Sequence, residues 1–161
     1  MAENTNTEAQ QGAAESPILR MQKMYIKDFS FENPNSPEIF RSSQKSEPNV
    51  ELNLQLHHNK ISDDNWEVSL EINAKVVTKD EEPRVLFILE IEHAAVFLLK
   101  NIPEQHMPMV LGVECPTLLF PFTRQVISQI SVDGGFMPFL MEPVNFMALF
   151  QNAQKNKEAS N

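Results

Sequence analysis

Four segments in the first hundred residues alternate apolar and polar side chains with a period of two, the pattern of strands that set one face against a core and the other against water. Met24 to Glu32 places Tyr25, Phe29 and Phe31 on one face and Asp28, Ser30 and Glu32 on the other. A Pro-containing polar stretch follows, and then Val50, Leu52, Leu54 and Leu56 alternate with Glu51, Asn53, Gln55 and His57. The turn at 62–65 leads to Trp66, Val68, Leu70, Ile72, Ala74 and Val76, with Glu67, Ser69, Glu71, Asn73 and Lys75 opposite. After a second polar turn at 79–84, the fourth segment sets Val85, Phe87, Leu89, Ile91, Ala95, Phe97 and Leu99 on one face. Leu86, Ile88, Val96 and Leu98 add apolar area to the other, which Glu90 and Glu92 keep partly solvated. A segment apolar on both faces is expected to be a central or interface strand. The two short turns make an antiparallel meander the cheapest connection.

The remainder reads as helix. Pro116 suits a first helical position, where its missing N–H would be unpaired anyway, and Asp133-Gly134-Gly135 provides an ending. Leu119, Phe122, Val126 and Ile130 recur at helical spacing as an apolar stripe, and Pro121 removes one backbone hydrogen bond within it. A last helix is expected near Pro143 or Asn145, with Phe146, Leu149, Phe150 and Ala153 on one face. Between the two helices Phe136, Met137, Phe139, Leu140 and Met141 make an apolar loop, so these side chains must cover a core or face a ligand. The fold class is therefore α+β, an antiparallel sheet of four strands followed by helices.

Residues 111–150 hold six of the 11 phenylalanines and no arrangement of side chains able to carry out a reaction. Large, adaptable apolar side chains on partly irregular backbone suit binding of varied apolar partners. The 161 residues fit one domain, and the formal charge of -9, from 22 acidic and 13 basic residues, argues against nucleic acid or an anionic membrane as partner. No apolar run approaches a membrane span, and the first residues lack a signal-like core, so a cytoplasmic protein without direct membrane insertion is expected. Residues 1–17 and 153–161 are polar and read as a disordered arm and tail around a domain at 18–152. No nucleophile elbow, phosphate loop, dinucleotide glycine pattern or paired-cysteine zinc motif occurs, and adjacent His57 and His58 point to opposite strand faces. Neither an enzyme nor a cofactor or metal is expected.

Three blocks, YIKDFSFENPNSPEIF at 25–40, LGVECPTLLFPFTRQ at 111–125 and EPVNFMALF at 142–150, resemble the SecB-type preprotein-export chaperones in order and spacing. The resemblance runs over roughly residues 20–152. It implies a SecB-like sheet and helices assembling as a dimer of dimers, a homotetramer. It further implies an ATP-independent holdase that binds unfolded preproteins in apolar grooves and delivers them to the SecA translocation ATPase. On this sequence the client grooves would be lined by Phe40, Leu52, Leu54, Phe136, Phe139, Leu140, Met141, Phe146, Leu149 and Phe150. Translocase docking would use Asp28, Glu32, Ile88 and Glu90, and assembly would use Leu89, Ile91 and His93. Pro108 is tolerated only in a first turn, so the helical segment before Pro116 should start late or be irregular.

Three other readings compete. An isomerase-like or small-ligand pocket would need polar groups on the apolar strand face, where the fourth segment offers only His93. A purely structural oligomer would bury the Phe-rich segment entirely. A SecB-like chaperone of a toxin-antitoxin system would keep the same surface for another client.

Overall fold

The computed structural model describes residues 15–42 and 47–160. Most of the expected N-terminal arm lies outside these residues. Its last part, Glu15 and Ser16, accepts hydrogen bonds from the Asn101 side chain at 3.2 and 3.3 Å. Four strands, β1 (Ile18–Glu32), β2 (Asn49–Lys60), β3 (Asn65–Val77) and β4 (Val85–Lys100), form one antiparallel sheet. The expected meander holds for β2, β3 and β4, but the order is β1-β4-β3-β2. β1 therefore pairs with the most apolar strand, and β1 and β2 form the two opposite edges of the sheet. β4 is central, as its two apolar faces require.

The crossover is pinned where it leaves β1. The Asn35 side chain donates to the Val85 carbonyl at 2.9 Å, and a short 3-10 turn, Glu38–Phe40, buries Ile39. Beyond the sheet, α1 (Met107–Met109), a π-helical turn (Val110–Glu114) and α2 (Cys115–Asp133) run on without a break. The helix thus does not begin at Pro116. Pro108 sits in the first turn of α1, and just ahead of Pro116 the ladder widens so that the Cys115 N–H bonds to the Val110 carbonyl. A widened turn relieves the clash that a proline ring makes with the carbonyl four residues back.

α2 lies on the face of the sheet that carries the odd-numbered residues of β4. Its buried residues are Cys115, Pro116, Leu119, Phe120, Thr123, Ile127 and Ser131, while Phe122 is 40% exposed. The buried stripe is thus rotated from the one that apolar spacing predicts, because Thr123 and Ser131 occupy core positions with their hydroxyls bonded. Thr123 bonds to the Leu119 carbonyl and to His93, and Ser131 bonds to the Ser128 carbonyl and accepts from the Phe139 N–H. After Gly135, whose φ of 91° suits only glycine, residues 136–145 form the expected apolar loop. α3 (Phe146–Ala159) is capped by Asn145, whose Oδ1 accepts from the Ala148 N–H at 3.0 Å. It runs to Ala159, into the stretch expected to be a disordered tail, since Ala, Gln, Lys and Glu there favour helix once a cap has nucleated it.

Candidate functional site

The strand register sorts every side chain onto one of two sheet faces. Toward the helices point Phe87, Leu89, Ile91, His93, Ala95, Phe97 and Leu99 of β4, in line with Val76, Ala74, Ile72, Leu70, Val68 and Trp66 of β3. The same rows continue through Val50, Leu52, Leu54, Leu56 and His58 on β2. We call this the inner face. The outer face carries Ile88, Glu90 and Glu92 of β4 with Lys75, Asn73 and Glu71 of β3.

On the inner face α2 covers the centre of the sheet but not its β2 side. There a groove of about 950 Å³ opens between β2, β3, the helical stretch from Met107 to Gly112, and α3. Its walls are Leu54, Leu56 and Trp66 on one side and Met107, Leu111, Phe146, Leu149 and Phe150 on the other, with His58, Glu104 and Lys157 among its lining residues. Gly112 in the π-helical turn lets the Phe150 ring approach closely, since a Cβ there would stand 2.8 Å from it. A second apolar group lies where the crossover meets the loop. Phe40 packs on Phe136 at 5.2 Å between ring centroids, Phe136 on Phe87 at 5.1 Å, and Phe139 edge-on to Phe87 at 6.1 Å.

The ten groove residues expected from the sequence thus separate. Leu54, Leu149 and Phe150 line the groove, Phe40, Phe136 and Phe139 form the aromatic group, and Leu52 (45% exposed) lies on β2 outside the groove. Leu140, 62% exposed, stands over Pro121 and Arg124 on the far side of α2. Met141 is only 3% exposed and belongs to the core, whereas Phe146 lines the groove but, at 3% exposure and set edge-on against Phe120, adds little area to it. Leu56, Trp66, Met107 and Leu111 were missed. Leu56 and Trp66 were legible, because each continues the alternation that carries Leu54.

The outer face is polar, and a change of strand phase organises it. β1 has register shifts against β4 between Met21 and Lys23 and between Ile26 and Asp28. The second turns Tyr25 to the outer face, away from Phe29 and Phe31, whose face it shares under strict alternation. There Tyr25 donates to Glu67, and Lys27 reaches Glu67 at 2.8 Å and Glu92 at 3.9 Å. Ser69 donates to Glu92 at 2.8 Å. Burial, with the Glu67 carboxylate beside it, pushes the Tyr25 phenol up to about 12, while hydrogen bonds from Lys27 and Tyr25 hold Glu67 below the usual carboxylate range. At the other end of β1, Asp28, Ser30 and Glu32 stand opposite Glu92, Glu90 and Ile88, so Asp28, Glu32, Ile88 and Glu90 make one patch. Beside it a depression of about 330 Å³ is lined by Glu51, Asn53, Asn73, Lys75, Ile88 and Glu90.

Leu89, Ile91 and His93 sit at 0, 1 and 4% exposure inside the chain's own core, so they cannot form an assembly surface by direct contact. His93 Nδ1 lies 2.7 Å from the Thr123 hydroxyl. Burial lowers its pKa from 6.5, so the unfolded chain binds this proton more readily than the folded one. The stability held by neutral His93 is complete above pH 6.5 and is lost as pH falls below it. Urea midpoints measured on both sides of that pH should decline on the acid side, and His93→Gln should flatten the decline. Cys115 is fully buried, and burial together with Glu114 pushes its thiol up to about 12, so it is inert at neutral pH.

The sequence profile of the family described as preprotein translocase subunit SecB matches residues 12–157. The chain belongs to the SecB family. A protein-export protein SecB from Desulfotalea psychrophila is 64% identical over 151 residues, covering 94% of this chain and 96% of that one. One from Magnetococcus marinus is 47% identical over 150 residues, covering 93% of each. Among solved structures, a SecB-like chaperone of Mycobacterium tuberculosis in complex with a peptide from the HigA1 antitoxin superposes with a TM-score of 0.62 at 11% identity, covering 79% of this chain and 91% of that one. SecB is a preprotein-export chaperone, and the sheet followed by helices is the SecB fold. Among the described residues no helix is long and apolar enough to cross a membrane.

Proposed function

We propose that the protein is an ATP-independent holdase of the cytoplasm that keeps preproteins unfolded in the apolar groove and passes them to the SecA translocation ATPase. The observation that carries this reading is the open groove of about 950 Å³, apolar along both walls and charged only at a few lining positions. An unfolded segment gains ~25 cal/mol per Å² of apolar area buried, with little demand on its sequence. Phe40, Leu52 and Leu140, each at least 45% exposed, extend the apolar surface beyond the groove.

The homotetramer, a dimer of dimers, is part of the same proposal. Met24, Ile26 and Phe29 on the inner side of edge strand β1 are 37, 48 and 44% exposed, and Leu118 and Phe122 of α2 are 45 and 40% exposed. Such area on two elements is what second copies would cover. Asp28, Glu32, Ile88 and Glu90 are assigned to SecA docking, on the face away from the client groove. Export is favoured over antitoxin control because relatives 64% and 47% identical in sequence carry the protein-export name, whereas the antitoxin-bound neighbour, at 11% identity, shares only the fold.

Native mass measurement tests client binding and assembly together. The protein alone should appear as four chains, and an added unfolded preprotein should shift that mass by one client while the folded preprotein leaves it unchanged. A monomer that takes up no unfolded chain would overturn the reading.

A further inference from the structure

We infer that the depression of about 330 Å³ on the outer face is a peptide site, where the carboxamides of Asn53 and Asn73 hold the backbone of an extended segment of the docking partner. This rests on the SecA-docking reading above and carries it from the acids of β1 and β4 onto β2 and β3. Strand register sets the two asparagines directly opposite each other, in one row with Glu90 of β4 and Ser30 of β1. The next row holds Glu32, Ile88, Lys75 and Glu51. The depression covers the β4, β3 and β2 members of both rows, so it continues the acidic patch without a break.

Two asparagines are out of place there. Asparagine is depleted in strands, since its side chain competes with the ladder for backbone groups. A pair of them facing each other inside β2 and β3 weakens the sheet locally, and residues that work against their own element mark functional positions. The hydrogen bonds of the outer face engage Glu67, Ser69, Glu71 and Glu92, and among the described residues neither Asn53 nor Asn73 takes part in any. Each carboxamide thus offers a donor and an acceptor side by side. One residue of an extended chain presents its N–H and C=O toward the same side, so the match is to peptide backbone and makes little demand on sequence.

The charges around the depression give the occupant its polarity. Glu92 accepts from Ser69 at 2.8 Å and has Lys27 at 3.9 Å, and Glu71 lies 2.9 Å from His57. Asp28, Glu32 and Glu90 have no cation beside them among the described residues, so the partner's cations settle on these three. Lys75 stands directly opposite Glu51 across β2 and β3 and repels a further cation there. The segment is therefore basic where it crosses β1 and β4 and uncharged where it lies on Asn73 and Asn53. Three inter-strand spacings separate β1 from β2, ~14 Å, which about four extended residues span.

The test uses the full protein and SecA. Asn53→Thr combined with Asn73→Thr removes both carboxamides without altering charge, and threonine is favoured in strands, so the urea midpoint should not fall. SecA affinity should drop by about tenfold, as for the loss of two hydrogen bonds, with the salt dependence of the wild type and with client affinity unchanged. A second measurement needs no variant. Lys75, exposed and lining the depression, should be acetylated several-fold more slowly in the SecA complex, while Lys60, over the Trp66 ring on the inner face, keeps its rate. A threonine variant that binds SecA within about twofold of wild type, or a Lys75 rate unchanged in the complex, would overturn the peptide site and leave docking on the acids alone. A parallel fall in client affinity or urea midpoint would assign the two asparagines to the fold and overturn it as well. Failure of the wild type to bind SecA would overturn the docking reading itself, and this inference with it.

Discussion

Leu89→Lys is expected to unfold the protomer rather than to split an assembly of folded chains. Leu89 lies on the inner face of the central strand with no exposure to solvent, in a row with Ala74 and Phe31. Each neighbour in that row is held by its own strand, so the lysine has no short route to water. Burying an unpaired ammonium there costs several kcal/mol, a large part of the ~5–15 kcal/mol that holds a domain folded. Circular dichroism and urea titration should find the folded baseline lost, while Ile88→Lys, on the outer face of the same strand, keeps it. A variant of Leu89 that stays folded and merely loses mass by light scattering would return this residue to an interface.

If the proposed docking patch is right, reversing Asp28, Glu32 and Glu90 to Lys together should weaken SecA recruitment by about a hundredfold or more, because juxtaposing like charges in place of complementary ones costs several kcal/mol. Client affinity should change by less than about twofold, since the apolar groove is on the opposite face. All three acids are exposed, and none has a cation within salt-bridge distance among the described residues. Their removal therefore breaks no internal pair. Glu67 and Glu92, engaged by Tyr25, Lys27 and Ser69, would be poor choices for the same experiment, because reversing them disturbs the clamp between β1 and β3. Wild-type docking should also weaken as salt rises past about 0.1 M, where the screening length is ~10 Å, while client binding does not. The measurement is a pair of titrations, SecA and an unfolded client, across a salt series. Parallel losses in both would show that the two faces do not act separately.

Much of this architecture is legible in the sequence. Strict alternation in β2, β3 and β4 located three strands and their faces, because a one-residue slip would carry a whole apolar row into water and the pattern therefore permits a single phase. The same argument set Asp28 with Glu32 and Ile88 with Glu90, and the register places them together. It failed in β1. An edge strand can absorb an extra residue, and the bulge near Lys27 reverses the phase of Lys23 to Ile26 until the second shift restores it, so Tyr25 moved from the expected apolar face to a polar network. Helix spacing failed in a related way in α2, where Thr123 and Ser131 look polar but are buried because local backbone carbonyls and His93 satisfy their hydroxyls. Hydropathy counts a hydroxyl as polar whether or not it has a partner.

By itself the sequence determined what local chemistry can decide: four strands and their turns, the Asn145 cap, the glycine ending of α2, an apolar loop without catalytic groups, and an acidic chain unsuited to polyanions. The tertiary structure alone decided which residues share a surface. β1 sits beside β4 because the crossover returns it to the most apolar strand, and no local pattern encodes that pairing. Phe146 and Met141 became core while Leu149 and Leu140 stayed exposed, although all four are equally apolar. Trp66 and Leu111, far apart in the chain, became walls of one groove. The physical reason is that burial belongs to pairs of elements rather than to residues: an apolar side chain needs cover, and which element supplies it is settled only when the sheet and helices close on one another.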